Sequence, residues 1–430
     1  MAADVTTYAN VLKRYYNAEK VAKAINDSCR LTTFVEKQKK TVWKGSQIDF
    51  PVQVNRNWGG GWSTTDVLPQ ADEISYELAV IPERRLRGRI QISGSLMKIG
   101  KGDLGAFVEA TAAEIKGMRA TMRRFMNFAL WGDGTGKLCE TASVSSQVVT
   151  LRTTGGTGLN GNARARYLAP GMRVAILDGA TGSGSVVAEN FQISSVAPTT
   201  PSFTAPAGTD VSGVTSADSV YISLNTGTSS RNGTIMGVAG IVDDTTYATT
   251  HHNINRSNFP VWQGGVLGNS GANRLITTEL MQQAVDMLDR RAGKDKFDGY
   301  WCEHGVRAEY AKILQANKYF VQMSDQGQGI KESLAEGNYS TDVTHNKTPF
   351  IAERDCPWNT IFCLTHSSLK LAPISDWEWA DEDGDVFSRV SNTDAFEAFT
   401  RWIGNFYSPD PNQNVVIRDV TQTIPTVAYY

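Results

Sequence analysis

The stretch Leu104–Trp131, LGAFVEATAAEIKGMRATMRRFMNFALW, decides the fold and is followed directly by the glycine-rich run Gly132–Gly136. Positions on one face recur at steps of three and four residues, which is the spacing of an α-helix: Leu104, Val108, Thr111, Ile115, Met118, Met122, Phe125 and Ala129. Its 28 residues would form a rod of roughly 42 Å, against a usual helix of about 11–12 residues. Such a helix typically supports the elements around it.

Both ends of this helix carry terminal signals. Asp103 is an N-cap candidate and Gly132 is placed where a helix favours a left-handed residue. The charges complement the helix dipole, with acids in the first half and bases in the second: Glu109, Glu114, Lys116, Arg119, Arg123 and Arg124. We expect the apolar face to be covered by the same subunit. The basic face is either a solvated surface or a subunit contact.

Length and composition indicate an ordinary globular protein. A chain of 430 residues predicts two or three domains, and 41% apolar with 20% charged residues excludes a disordered chain. No apolar run is long enough for a transmembrane helix, and the first residues lack the apolar core of a signal peptide. Five scattered cysteines favour a reducing compartment, the cytoplasm.

The net charge of −2 conceals an asymmetry. Residues 1–140 carry 21 Lys and Arg against 15 Asp and Glu, whereas the remainder carries 21 against 29. A generally basic nucleic-acid-binding protein is therefore not expected. Regions of opposite charge suit a protein that contacts other copies of itself.

Residues 42–92 have the pattern of a long β-hairpin. Apolar residues alternate in two segments, as in half-buried strands: Ile48, Phe50, Val52, Val54, and then Ile74, Tyr76, Leu78, Val80. The tip between them contains Trp58, three glycines and Trp62. Four arginines follow on the return strand, where we expect contact with a partner rather than a solvated surface: Arg84, Arg85, Arg87 and Arg89.

The rest of the chain predicts a β-rich insert followed by a mixed α+β region. Residues 147–230 are rich in Thr, Gly and Ser, and two segments in them, 170–179 and 218–224, are each predicted to be a strand that ends in a turn. A helix is predicted at 278–292, ended by Gly293, and another at 306–314. Further strands are predicted at 298–302, 349–353, 360–364 and 415–420. Eight acids stand in 376–397, and the aromatic residues of 396–406 suit either a helix or a strand.

No residue pattern predicts catalysis, a cofactor or a metal. The acidic run at 381–385 lacks the glycine and glutamate positions of a calcium loop. The glycine-rich run after Trp131 follows a helix, whereas phosphate-binding loops precede one, so a turn is expected. Cys302 with His304, and Cys356 with Cys363 and His366, lack zinc-ligand spacing. His251 and His252 stand in a polar loop without an evident base.

The order of elements resembles the major capsid proteins of tailed bacteriophages, the Hong Kong 97 fold. The most specific local signal is the long helix that runs into the stretch Trp131–Gly136. The remainder of the resemblance depends on the order and the lengths of the elements. The resemblance implies an α+β fold with these parts: an N-terminal arm (1–41), an extended hairpin loop (42–92), a peripheral domain with the spine helix (93–146), an inserted β-barrel-like domain (147–230), an axial domain (231–372), and a return to the peripheral domain with a C-terminal strand (373–430).

The resemblance implies a non-enzymatic subunit of an icosahedral shell around double-stranded DNA, assembled in the bacterial cytoplasm and found in the virion. Its partners would be itself in hexamers and pentamers, a separate scaffolding protein, a portal, a possible decoration protein, and DNA held weakly and non-specifically. An encapsulin-type nanocompartment is the alternative. Residues 45–97 contain no lysine, so the isopeptide cross-link of some relatives is not expected. The expected subunit-interface residues are Trp58, Trp62, Arg84, Arg85, Arg87, Arg89, Asp381, Glu382, Asp383 and Asp385.

Overall fold

The computed structural model describes residues 31, 34–37, 43–64, 68–94, 104–197, 200–225, 227–316, 343–381 and 386–422. Most of the predicted N-terminal arm lies outside these residues, and so does Asp103. The described chain begins with four strands: β1 (Glu36–Lys37), β2 (Gln47–Gln53), β3 (Tyr76–Pro82) and β4 (Arg84–Ser93).

Strands β2 and β3 form the predicted hairpin, in antiparallel register from Gln47↔Pro82 to Gln53↔Tyr76. The predicted packing face of the return strand is wrong. Ala79 and Ile81 are buried, whereas Tyr76 and Leu78 point away and are exposed. Side chains alternate strictly along a strand, so a pattern of apolar residues cannot say which face meets the body when both faces contain them.

Helix α1 spans Leu104–Trp131, the range that the sequence predicts. From Ile115 onward its apolar face is covered as expected, since Ile115 and Met122 are buried and Met118 and Phe125 are half-buried. The cover is partly β4, where the backbone of Gly88 approaches so closely that a Cβ there would lie 2.6 Å from the Met118 sulfur. Glycine permits this approach because it has no side chain.

The run after α1 is a turn, as predicted, but the left-handed residues are Gly134 (φ 87°) and Gly136 (φ 76°) rather than Gly132. The Asp133 carboxylate accepts hydrogen bonds from the Thr135 amide at 3.0 Å and hydroxyl at 2.5 Å. A short buried helix, labelled α2 below, then meets the end of α1 through Gly237. A Cβ on Gly237 would lie 2.4 Å from carbonyl oxygens of α1.

The β-rich segment forms one eight-stranded sheet with its own core. Its strands are β5 (Cys139–Ser145), β6 (Val148–Leu151), β7 (Arg173–Leu177), β8 (Val186–Gln192), β9 (Ser195–Val196), β10 (Ser202–Thr204), β11 (Ser219–Asn225) and β12 (Thr228–Ser229). They run in the order β8-β7-β11-β5-β6-β10-β9, with β12 beside β11. The sheet begins earlier than residue 147, because β5 contributes to it.

The following region packs helices on a six-stranded mixed sheet. Its elements are α2 (Val238–Ile241), β13 (Thr250–His251), β14 (Ile254–Asn255), β15 (Gly265–Leu267), α3 (Thr278–Ala292), β16 (Gly299–Cys302), α4 (His304–Ala316), β17 (Thr344–His345), β18 (Thr348–Ala352), β19 (Ile361–Leu364) and, later in the chain, β23 (Val415–Ile417). The strands of the sheet run in the order β15-β23-β19-β16-β18-β17. Helix α3 matches its predicted range, is capped by the Thr277 hydroxyl at 3.1 Å from the Leu280 amide, and ends at left-handed Gly293.

A buried charge network holds the segment after α2 to the end of β23. Asp243 is fully buried; its carboxylate lies 2.6 Å from the Arg418 guanidinium and 3.6 Å from that of Arg256, which is also fully buried. One carboxylate therefore lies between two guanidiniums inside the protein, and the Asp244 carboxylate lies 3.8 Å from the Arg418 guanidinium.

The chain then returns to the long helix through β20 (Lys370–Trp379), β21 (Ser388–Arg389) and β22 (Ala395–Tyr407). The aromatic segment that the sequence left open is thus a strand. It pairs with β4 from Ala395↔Ser93 to Gly404↔Arg84, and with β20 and β21. Strand β1 completes this sheet beside β20. The inner side chains of the sheet, such as Trp377 and Trp402, join Met122 and Trp131 of α1 in the central core.

Candidate assembly surfaces

The hairpin has one covered face and one uncovered face. On the covered face, Ile48 and Ile81 pack with Tyr407, while Ala79 packs with Trp262. The opposite face and the tip expose large apolar side chains: Trp58 (72%), Trp62 (106%), Leu68 (87%), Ile74 (44%), Tyr76 (60%) and Leu78 (51%). A continuous ribbon with this many exposed apolar groups typically marks a protein interface.

The tip is braced by polar contacts although it contains three glycines. The Trp58 amide donates to the Asp72 carboxylate at 2.9 Å, and the Asn57 side-chain amide donates to the Asp72 carbonyl at 2.5 Å. The backbone hydrogen bond from Trp58 lowers the pKa of Asp72. The two tryptophans are therefore presented on a tip whose two limbs are tied together.

The four arginines do not lie on the hairpin, contrary to the prediction. The return strand ends at Pro82 and they belong to β4, which pairs with β22. Arg85, Arg87 and Arg89 form a row on the exposed face of β4, because alternate residues of a strand share a face. Arg84 is half-buried, and burial lowers its pKa.

One of these arginines contacts the acidic segment 376–397 within its own subunit. Arg89 pairs with Glu397 of β22, and Arg85 pairs with Glu83. Arg401, which stands opposite Arg87 in the register, is paired with Glu378 at 2.7 Å. Within the described residues no ion pair is seen for Arg87, so it is the arginine of this row left for a partner. Asp381 is exposed; Glu382, Asp383 and Asp385 lie outside the described residues.

The histidine pair is buried, whereas the sequence placed it in a polar loop. The rings of His251 and His252 lie 4.0 Å apart. Burial lowers the pKa of both, that of His252 to about 3, and the positive charge of nearby Arg256 adds to the effect. The backbone carbonyl of His252 accepts from the Val80 amide of β3 at 2.9 Å. The pair thus lies directly beneath the base of the hairpin.

The described thiols are inert in character. Cys139, Cys302, Cys356 and Cys363 are free and buried, and burial raises the pKa of each, that of Cys302 to about 12. In the part of the chain that the structure covers, no group of three His, Cys, Asp or Glu residues could hold a metal ion. Likewise, no helix among these residues is long and apolar enough to cross a membrane.

The fold is similar to solved phage capsid structures. A chain of the cyanophage A-1(L) capsid asymmetric unit is 13% identical, with a TM-score of 0.53 and 90% of each chain covered. A chain from the capsid of the native GTA particle is 10% identical (TM-score 0.42; 90% of this chain and 88% of that chain), and one from Gordonia phage Cozz is 9% identical (TM-score 0.39; 91% and 86%). No protein-family model and no curated protein matches the sequence.

The cyanophage capsid chain is the comparison that carries weight, and at this identity it shows the fold. The protein thus has the mixed α+β fold of a phage capsid subunit, as the order of elements predicted. Its division into named domains stays a prediction.

Proposed function

We propose that this protein is the structural subunit of an icosahedral phage capsid, that it assembles with copies of itself, and that it resides in the virion. The observation that supports this most is the uncovered ribbon, because a fold similar to a capsid chain over 90% of both lengths presents it to solvent. Scaffolding, portal and decoration proteins and packaged DNA would be further partners.

We infer that the hairpin lies on a neighbouring subunit through its exposed face. Obligate interfaces commonly bury more than about 2,000 Å², and the tip tryptophans supply large, rigid apolar surfaces of the kind that dominate binding energy. Trp62 is fully exposed and Leu68 nearly so. These side chains would be buried only when a neighbouring subunit covers them in the assembled shell.

The arginine row on β4 is the second proposed contact. Arg87 is the arginine of this row that we expect to contact a partner, because Arg85 and Arg89 are paired with acids of their own chain. Asp381 of a neighbour is a candidate acceptor. Because exposed ion pairs contribute little energy, this contact sets register more than affinity.

The test is assembly of Arg87→Glu, compared with Arg173→Glu on β7 as a matched charge reversal. Arg173 is exposed and bonds the Asn190 side chain at 3.2 Å, far in sequence from β4. We expect Arg87→Glu to lower the yield of closed shells in electron micrographs while the unassembled subunit keeps its circular dichroism spectrum. Equal yields from the two variants would remove β4 from the proposed interface.

A further inference from the structure

A cluster of arginines surrounds Trp358, and none of its members belongs to the hairpin or to β4. We call it the Trp358 cluster; it draws residues from three separate segments, namely α1, the loop between β6 and β7, and the loop after β18. Its members are Arg124, Arg164, Arg166, Arg354 and Trp358.

The guanidinium groups converge on one aromatic ring. The guanidinium carbon of Arg164 lies 5.3 Å from the ring centroid of Trp358, and that of Arg166 lies 5.5 Å from the same ring. Arg124 donates to the Leu168 carbonyl in the same loop at 3.5 Å. Burial lowers the pKa of Arg124 and the charge of Arg354 lowers it further, so these like charges are held close together.

Two of the three guanidinium nitrogens of Arg166 lack a hydrogen-bond acceptor among the described residues. Arg166 is only 4% exposed, and within the described structure its Nε and Nη2 atoms are buried without a partner. The Nε atom of Arg164 is in the same condition. Stacking on Trp358 stabilises the positive charge but leaves these N–H groups unsatisfied. A buried donor without an acceptor destabilises the fold, and more so when the donor is charged.

The nearby acids are already engaged. Asn127 of α1 donates to Glu353 at 3.1 Å and also to the Asp355 carboxylate. Arg354 lies 3.3 Å from the second oxygen of Asp355. The cluster thus brings four guanidiniums together with two carboxylates, and the unsatisfied N–H groups belong to the two arginines, Arg164 and Arg166, for which no ion pair is seen among the described residues.

We propose that the Trp358 cluster is a binding site for a phosphate-class oxyanion. The guanidinium fork donates in pairs to such oxygens, and a tetrahedral dianion can accept from donors that approach from different segments. A dianion would also balance the excess charge of the cluster. The source is either free inorganic phosphate or the backbone phosphate of a nucleic acid, which share this chemistry.

The test is calorimetric titration of the full-length chain with inorganic phosphate at constant ionic strength. We expect saturable binding that Arg166→Gln weakens by at least about tenfold, because a charged hydrogen bond to the ligand is lost. Arg164→Gln, at a half-exposed position, should weaken binding as well and serves if Arg166→Gln does not fold. Arg173→Gln, on the same β-rich region, should bind as the unchanged protein does.

A short DNA duplex distinguishes the two sources. Displacement of phosphate by the duplex in the unchanged protein would identify a nucleic-acid backbone, whereas phosphate binding without displacement would identify the free anion. The proposal is overturned by three outcomes: no saturable binding of phosphate, an affinity for phosphate in the Arg164 and Arg166 variants that equals that of the unchanged protein, or tighter binding of acetate or citrate than of phosphate.

Discussion

Replacing the tip tryptophans should abolish assembly without affecting the folded subunit. In the double variant Trp58→Ser/Trp62→Ser, both positions are exposed, at 72% and 106%, so the isolated chain loses little packing. A tryptophan buries about 150–250 Å² when covered. At about 25 cal/mol per Å², this corresponds to roughly 4–6 kcal/mol for one fully covered ring. Losing even one such ring should raise the concentration needed for assembly about a thousandfold.

Assembly would be measured by light scattering over a range of subunit concentrations, and folding by thermal denaturation of the unassembled chain. Val186→Ser, a partly exposed position at the edge of the β-rich sheet, is the control and should assemble normally. Normal assembly of the double tryptophan variant would refute the reasoning. A large drop in its melting temperature would also refute it, because the tip would then be packed within its own subunit.

Three other predictions concern the interior. Acidification should destabilise the fold, because burial lowers the pKa values of His251 and His252 and both must be neutral in the folded chain. The stability that the neutral rings contribute is complete above about pH 6.5 and is lost as the pH falls; for His252, with a pKa of about 3, the loss is about 2 kcal/mol by pH 5. His252→Phe should flatten the pH dependence of the melting temperature. Gly237→Ala should cost about 1–3 kcal/mol by overpacking, whereas Gly117→Ala, in an open position of α1, should stabilise by roughly 1 kcal/mol in chemical denaturation. Asp243→Ala should cost about 3–5 kcal/mol by leaving buried guanidiniums uncompensated, and an unchanged denaturation midpoint would contradict this.

Local periodicity was sufficient to predict the long helices. The boundaries of α1 and α3 follow from apolar spacing and, for α3, from a threonine cap and a left-handed glycine. The strands near 173–177 and 299–302 follow from short apolar runs between turns. In these segments the residues that specify the element lie within it.

Pairing between distant segments could not be predicted from local periodicity. Strand β4 pairs with β22 some three hundred residues later, and only one residue, Glu83, separates β4 from the end of the hairpin. The acceptors of Arg89 and the burial of His251 depend on this same long-range packing. The Trp358 cluster was missed because its arginines come from three segments, although Arg124 already stood out on the basic face of α1.

Cryo-electron microscopy of the protein expressed alone and with a candidate scaffolding protein tests the central claim most directly. Closed icosahedral shells are expected, with the exposed face of each hairpin and both tip tryptophans covered by a neighbouring subunit. A protein that stays monomeric under both conditions would contradict the proposed function. Shells in which the tip remained in solvent would contradict the proposed role of the hairpin.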